Sequence, residues 1–349
     1  MRFYNQQHRF YCGVDLHARS MYLCILDQAG ATVLHQNYPA EADAFLQAIA
    51  PFRDGLVVGC ECMFAWYWLS DLCAKHAIPF VLGHALYLKA IHGGKTKNDR
   101  IDAGKLAALL RGGNFPVAYV YPKGLRETRD LLRRRMFLVR QRAHLIAHIQ
   151  NTNSQYNLPV FGQKLVYAGN RQELAVAERF TDPSVRLSIE TDLALIDFLD
   201  ERIHDVELHI ERHARIDDPN TLARLRSIPG VGKILALIFL YEIHDIRRFE
   251  NVGRFLSYCR LVRCTHESAG KKKGSGNPRI GNAHLRWAFA EAVCLWLRRS
   301  DRAKKWQARQ ERKRAKAKVL AILGAKLARA LYHMLTRREE FDETKALGG

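Results

Sequence analysis

The sequence predicts an α/β N-terminal domain at residues 1–122, a helical segment at 123–216 and a mainly α C-terminal domain at 217–349. Short apolar runs alternate with helical spacing through about the first 115 residues, whereas arginine-rich helical spacing without strand signals begins near Leu125. The run Asp217-Asp218-Pro219-Asn220 then breaks that pattern ahead of a glycine-punctuated helical region. A chain of 349 residues is long enough for each region to bury a core.

Residues 10–17 read as a first strand with Asp15 near its end, and Met21, Leu23 and Ile25 alternate along a second. Asp27-Gln28-Ala29-Gly30 is a turn and 32–35 return as a third strand, so the three form an antiparallel meander. A helix at 41–52 leads to the apolar run 56–60, a helix at 64–76 to a fifth strand at 79–82, and a last helix covers 99–110. The order β-β-β-α-β-α-β followed by a helix is that of the ribonuclease-H-like fold.

Beyond it, residues 126–150 have helical spacing, and a second helix starts after Asp182-Pro183 with Ile189, Leu193, Ile196, Ile203, Val206 and Ile210 near a heptad seam. That seam fits a hairpin within the chain or a coiled coil between subunits; residues 151–181 read as a loop or tip. Residues 222–242 read as helix, turn, helix around Ile228-Pro229-Gly230-Val231-Gly232-Lys233. Glycines there let backbone N–H groups approach a phosphate, the arrangement of a helix-hairpin-helix, with a plain αα-hairpin as the alternative. A helix near 249–259, a polar loop at 262–279 and a helix from Gly281 with the core stripe Leu285, Ala288, Phe289, Ala292, Val293 and Trp296 follow. A basic helix at 298–318 carries Lys304, Lys305, Arg309, Arg312, Lys313 and Arg314, and the tail at 339–349 reads as polar and frayed.

Lys and Arg outnumber Asp and Glu by 55 to 35, a formal charge of +20, which favours a polyanion through counterion release. The basic helix is thus expected to track a DNA or RNA backbone. The apolar run 234–241 is shorter than the ~20 residues of a membrane span, and the first residues lack an apolar signal core, so a cytosolic protein without membrane contact is expected. Eight cysteines without a C-x-x-C pair suit a reducing compartment, and Cys259, Cys264 and His266 lack a fourth zinc ligand nearby in sequence.

Four carboxylates stand where metal chemistry would need them. Asp15 lies in the first strand, Glu61 directly after the fourth, and Asp99 and Asp102 are three apart on one helix face. Singly each is an ordinary solvated or capping acid; together they repel one another unless a cation such as Mg2+, or alternatively Mn2+, neutralises them. Two such ions would clamp the attacking and leaving oxygens of a phosphodiester. Ser268, followed by Lys271, Lys272 and Lys273, offers a hydroxyl beside cations that polarise a phosphate, although such a serine alone reads as structural or phosphate-contacting.

Taken in order, Gly13-Val14-Asp15-Leu16-His17, Glu61, Lys97-Asn98-Asp99-Arg100-Ile101-Asp102-Ala103, Ile228-Pro229-Gly230-Val231-Gly232, Ser268-Ala269-Gly270-Lys271 and Gly281-Asn282 with Leu285-Arg286 resemble the transposases of insertion-sequence family 110/1111 and the related Piv-type DNA invertases, over nearly the whole chain. The resemblance implies a RuvC-like DEDD domain, a coiled-coil insert and a C-terminal transposase domain, working as a homo-oligomer in which acids of one subunit meet the serine of another. It implies that Asp15, Glu61, Asp99 and Asp102 bind Mg2+ and that Ser268 forms a phosphoserine link to DNA. Ser275 is the alternative nucleophile, because Ala269 separates Ser268 from Gly270. Implied partners are donor and target DNA and a structured noncoding guide RNA, in the bacterial cytoplasm at the nucleoid. A Mg2+-dependent nuclease or junction resolvase using water, and a non-catalytic nucleic-acid-binding protein, are the competing readings.

Overall fold

The computed structural model describes residues 2–91, 98–262, 265–268, 271–275 and 279–348, by backbone alone at 265–268 and 272–275. They form two compact units, Met1–Lys123 and Gly124–Gly349. The helical segment expected at 123–216 and the C-terminal region expected at 217–349 both lie in the second.

The first unit runs β1 (Phe3–Tyr4), β2 (Phe10–Leu16), β3 (Ser20–Asp27), β4 (Thr32–Pro39), α1 (Ala42–Ile49), β5 (Leu56–Glu61), α2 (Trp66–Lys75), β6 (Phe80–Gly83), α3 (Ala85–Ile91), α4 (Asp99–Arg111) and β7 (Phe115–Pro116). The main sheet has the order β4-β3-β2-β5-β6. Its β2, β3 and β4 are the antiparallel meander read from the sequence, while β5 runs parallel to β2 and β6 parallel to β5. Asp27 makes the first turn by accepting from the N–H of Gly30 and of Ala31, both at 2.8 Å. A small antiparallel ribbon of β1 and β7 was not anticipated, because two-residue strands carry no periodicity to read.

Strand alternation sorts this unit into two layers. Cys12, Val14 and Leu16 of β2, with Leu56, Val58 and Cys60 of β5, join Phe45, Ile49 and Leu69 in a core on one face. On the other, Tyr11 and Val57 pack with Leu106, Leu109 and Leu110 of α4. Gly13 and Gly59 are register partners on that second face. A Cβ on Gly13 would stand 2.2 Å from the Ala103 carbonyl oxygen and 2.4 Å from the Ala107 nitrogen, and one on Gly59 would stand 2.5 Å from Leu110 Cδ1. Only glycines allow α4 to lie so close to the sheet.

The second unit comprises α5 (Arg126–Gln155), α6 (Ala168–Glu173), α7 (Pro183–His213), α8 (Pro219–Arg226), α9 (Lys233–Ile243), α10 (Val252–Tyr258), β8 (Thr265–Ser268), β9 (Lys271–Ser275), α11 (Ala283–Arg299), α12 (Asp301–Glu311), α13 (Lys316–Arg337) and α14 (Glu343–Leu347). Asp182 caps α7 by accepting from the N–H of Ser184 and Val185. The pairs Arg135–Glu207, Arg142–Asp200 and His148–Asp192 rise on α5 as they fall on α7, so the two helices are antiparallel. The heptad positions Ile189, Ile196, Ile203 and Ile210 are buried within the chain, which realises the hairpin reading of that seam. Residues 151–181 are more than a loop: Leu165, Val176 and Phe180 pack with Ile149, Ile189 and Ile196 as a small core at the hairpin tip.

Three further expectations are corrected. The polar segment 262–279 contains the antiparallel hairpin of β8 and β9, whose lysine-rich strand lacks the apolar alternation that marks a half-buried strand. The basic helix at 298–318 is instead the end of α11, all of α12 and the start of α13: Ser300, in extended conformation, caps α12 by accepting from the N–H of Ala303, and a break at 312–315 precedes α13. The tail is docked rather than frayed, since Ala346 and Leu347 of α14 are buried and Glu343 accepts from Trp296 Nε1 at 2.7 Å. The stripe Leu285, Ala288, Phe289, Ala292, Val293 and Trp296 is buried as expected. By length and composition α13 could cross a membrane, but its Val319, Leu323, Leu327, Leu331 and Met334 are built into the C-terminal core.

Candidate active site

The glycine pair at Gly13 and Gly59 also places the acids. Two residues further along the same face of each strand stand Asp15 and Glu61, in line across the β2–β5 ladder that pairs Val14 with Cys60. Because α4 presses on the glycines, its first turn, carrying Asp99 and Asp102, arrives beside Asp15. Asn98 fixes that end by accepting from the N–H of Ile101 at 2.8 Å.

His17, two residues beyond Asp15, completes the group. Its Nε2 lies 3.4 Å from Asp15 Oδ2 and 3.5 Å from Asp99 Oδ1. One ligand atom each of Asp15, His17 and Asp99 falls within 4.8 Å of the others. Burial pushes the Asp15 carboxyl above the usual range; Asp99 and Asp102 push it further, and the His17 imidazole opposes them. Burial also raises the Cys60 thiol, with Asp15 and Glu61 adding to it. Asp102 additionally pairs with Lys105 at 3.3 Å. Of the four acids named from the sequence, Asp15 and Asp99 thus share a ligand cluster with His17; Asp102 acts on Asp15 by charge; and Glu61 is placed by register.

This arrangement fits a divalent cation. Carboxylate oxygens and an imidazole nitrogen are its ordinary donors, and His17 Nε2 is shielded from solvent without a well-aligned hydrogen bond. Asp15, His17 and Asp99 would hold the ion, with Glu61 and Asp102 at its rim. The sequence did contain a signal for His17, which sits at the even spacing from Asp15 that strand alternation turns to the same side. The matching Gly13-Val14-Asp15 and Gly59-Cys60-Glu61 spacings were a second signal.

The other named residues belong to the second unit. Ser268 ends β8 opposite Lys271 of β9, and Ser275 pairs with Thr265. Lys271 is exposed; the side chains of Ser268, Lys272, Lys273 and Ser275 lie outside the described residues. Gly230 has φ +88, and a Cβ there would stand 2.7 Å from the Leu295 backbone, so packing against α11 accounts for this glycine. Gly232 faces open space at the start of α9, and Lys233 there pairs with Glu211 at 3.2 Å. Lys304, Lys305, Arg309, Arg312, Lys313 and Arg314 are all exposed, Lys304 being paired with Asp301 at 2.9 Å.

Comparison with known proteins gives matches in both units, the first of them running past the boundary between the units. Residues 12–157 match the DEDD transposase family of IS110, and residues 222–309 match the Transposase IS116/IS110/IS902 family. Over 336 residues the chain is 25% identical to the transposase for insertion sequence element IS1111A of Coxiella burnetii, covering 94% of this chain and 90% of that protein. It is 25% identical over 213 residues to the putative transposase y4qE of Sinorhizobium fredii, covering 59% of this chain and 49% of that one. The two family matches, together with the likeness to an insertion-sequence transposase over 94% of the chain, make this chain a DNA transposase of the IS110/IS1111 family.

Proposed function

We propose that the chain is a site-specific recombinase that moves an insertion sequence by transesterification, with a ribonuclease-H-like metal centre and Ser268 as nucleophile. The observation that carries this reading is the convergence of Asp15, His17 and Asp99 beneath the Gly13–Gly59 pair. Like charges gathered at a partly buried point are held there at a cost that a cation would offset. When bound, Mg2+ or Mn2+ supplies positive charge for a phosphate in the transition state.

In the reaction, Ser268 Oγ forms a bond to phosphorus as the bond from phosphorus to one DNA oxygen breaks. The serine proton is lost and the departing oxygen gains one. The number of phosphate ester bonds is unchanged, so a hydroxyl of another DNA end can reverse the step, rejoin DNA and release Ser268 without ATP. Lys271, opposite Ser268 in the hairpin, adds positive charge near the attacked phosphate. The exposed cations of α12 and the turn after it grip the nucleic-acid backbone, and Gly232 offers a further phosphate contact. Donor and target DNA, a structured noncoding guide RNA, a homo-oligomer that brings acids and serine together, and a bacterial cytoplasmic location complete the reading.

Incubating the protein with element-end DNA, its cognate RNA and Mg2+ tests it. A detergent-stable, protease-sensitive protein–DNA adduct is expected, absent in Ser268→Ala. Cutting by Ser268→Ala without an adduct would instead identify a hydrolytic nuclease, and an adduct surviving in that variant would move the nucleophile elsewhere, with Ser275→Ala as the next variant to examine.

A further inference from the structure

The core of the second unit contains an ion cluster that the proposed chemistry leaves unused. Glu242 of α9 is 2% exposed. It accepts from Arg129 Nε at 3.2 Å, from Arg133 Nε at 2.6 Å and from Asn282 Nδ2 at 2.8 Å. Buried ion clusters seldom outperform apolar packing in stability, but they fix the geometry of the groups they hold. Here the group held is Asn282.

Asn282 stands where the chain re-enters the helical core after the β8–β9 hairpin. Its side-chain oxygen accepts from the N–H of His284 at 2.9 Å and of Leu285 at 3.0 Å, capping α11. Its backbone N–H donates to the carbonyl of Tyr258, the last residue of α10, at 2.6 Å, which closes the base of the segment carrying the hairpin. Arg260 fastens the same base, donating from Nε to the Gly281 carbonyl at 3.0 Å and reaching the Arg279 carbonyl as well. Gly281 has φ +96, and a Cβ there would stand 2.6 Å from the Tyr258 oxygen, so a side chain would pry the base open.

We infer that the Glu242–Asn282 hydrogen bond is a positioning device for the β8–β9 hairpin, fixing where the serine-bearing strand stands on the helical core and thereby the rate of strand attack. Both are positioning residues that act through the hairpin base. The kinetic consequence rests on the Ser268 reading; the placement of the hairpin does not. Attack on phosphorus tolerates little misplacement, and an error of about 1 Å can slow a reaction on the order of 100-fold.

A reciprocal exchange tests the inference in the full-length protein. Asn282→Asp keeps the acceptor that caps α11 but sets a carboxylate against Glu242. Combining it with Glu242→Gln relieves that repulsion, sets an amide donor opposite the new carboxylate and keeps one negative charge in the cluster. Adduct formation at saturating element-end DNA, with cognate RNA and Mg2+, is measured beside trypsin cleavage at Lys271–Lys273. Asn282→Asp is expected to slow adduct formation about tenfold or more with DNA affinity little changed, and to speed cleavage in the hairpin. The double variant recovers both. Should Asn282→Asp fail to fold, Asn282→Ser retains a cap without reaching Glu242 and is expected to show the same two changes. A folded Asn282→Asp or Asn282→Ser protein that reacts and resists trypsin like the wild type overturns the inference, as does a double variant that recovers neither property. If wild-type protein forms no Ser268-dependent adduct, the Ser268 reading fails, and the trypsin measurement alone decides the positioning role.

Discussion

Two carboxylates, the half-buried Asp15 of the first unit and the buried Glu242 of the second, face opposite electrostatic conditions. Asp15 shares its surroundings with Asp99 and Asp102, and burial together with their charges pushes its carboxyl up against the opposing His17. Glu242 is more deeply buried, yet its donors from Arg133, Arg129 and Asn282 outweigh desolvation and hold it at about 2. Among the described residues Asp15 and Asp99 are paired with His17 and with no lysine or arginine, whereas two arginines meet Glu242. The comparison teaches that burial does not by itself distinguish a working acid from a structural one; what distinguishes them is whether the chain supplies the compensating cations.

The largest test of this contrast is removal of each acid. Glu242→Ala leaves Arg129 and Arg133 facing an empty buried position and should cost about 3–5 kcal/mol in denaturant unfolding. Unfolding at the wild-type denaturant midpoint would break the comparison. A second test uses pH. Since Glu242 is held at about 2 against an ordinary 4.5, its contribution, roughly 3 kcal/mol, is fully present above pH 4.5 and disappears as pH falls towards 2. Calorimetry between those limits should show the wild type losing stability more steeply than Glu242→Gln, and parallel curves would contradict the assignment.

At the other site the sign reverses. Without divalent ions Asp15→Asn removes an ionised group that the fold disfavours, so the melting temperature should rise slightly, by less than about 5 °C, while strand cleavage is lost. A large fall in melting temperature would show Asp15 to be structural. The smallest effects belong to the exposed cations. Alanine at Lys305, Arg309 or Lys313 should weaken DNA binding modestly and alike for all sequences, each flattening the slope of log K against log salt by up to about 0.9. A loss confined to one DNA sequence would contradict backbone tracking.

Periodicity made the N-terminal sheet legible. The alternation of Met21, Leu23 and Ile25 and the apolar run 56–60 mark the strands, and the sheet sets Asp15 and Glu61 on neighbouring strands. The role of His17 is not legible in its motif, because the carboxylate that closes on it comes from α4, whose close approach to the sheet at Gly13 and Gly59 is a tertiary contact. The strands at 265–268 and 271–275 are not legible in the sequence, because strands rich in lysine have no apolar face to show. The break at 312–315 is hidden for a different reason: Arg312-Lys313-Arg314-Ala315 has no glycine or proline to mark a turn. Glu242 follows directly on the apolar run 234–241, where its burial was legible but its partners, distant in sequence, were not.

The central claim is that Asp15, His17 and Asp99 together grip a divalent cation. Titrating the wild type, Asp15→Asn and His17→Ala with Mn2+, and reading free ion by electron paramagnetic resonance, addresses it most directly. The account predicts a saturable site in the wild type that weakens about 10- to 100-fold in each variant; equal Mn2+ affinity in all three proteins would contradict it.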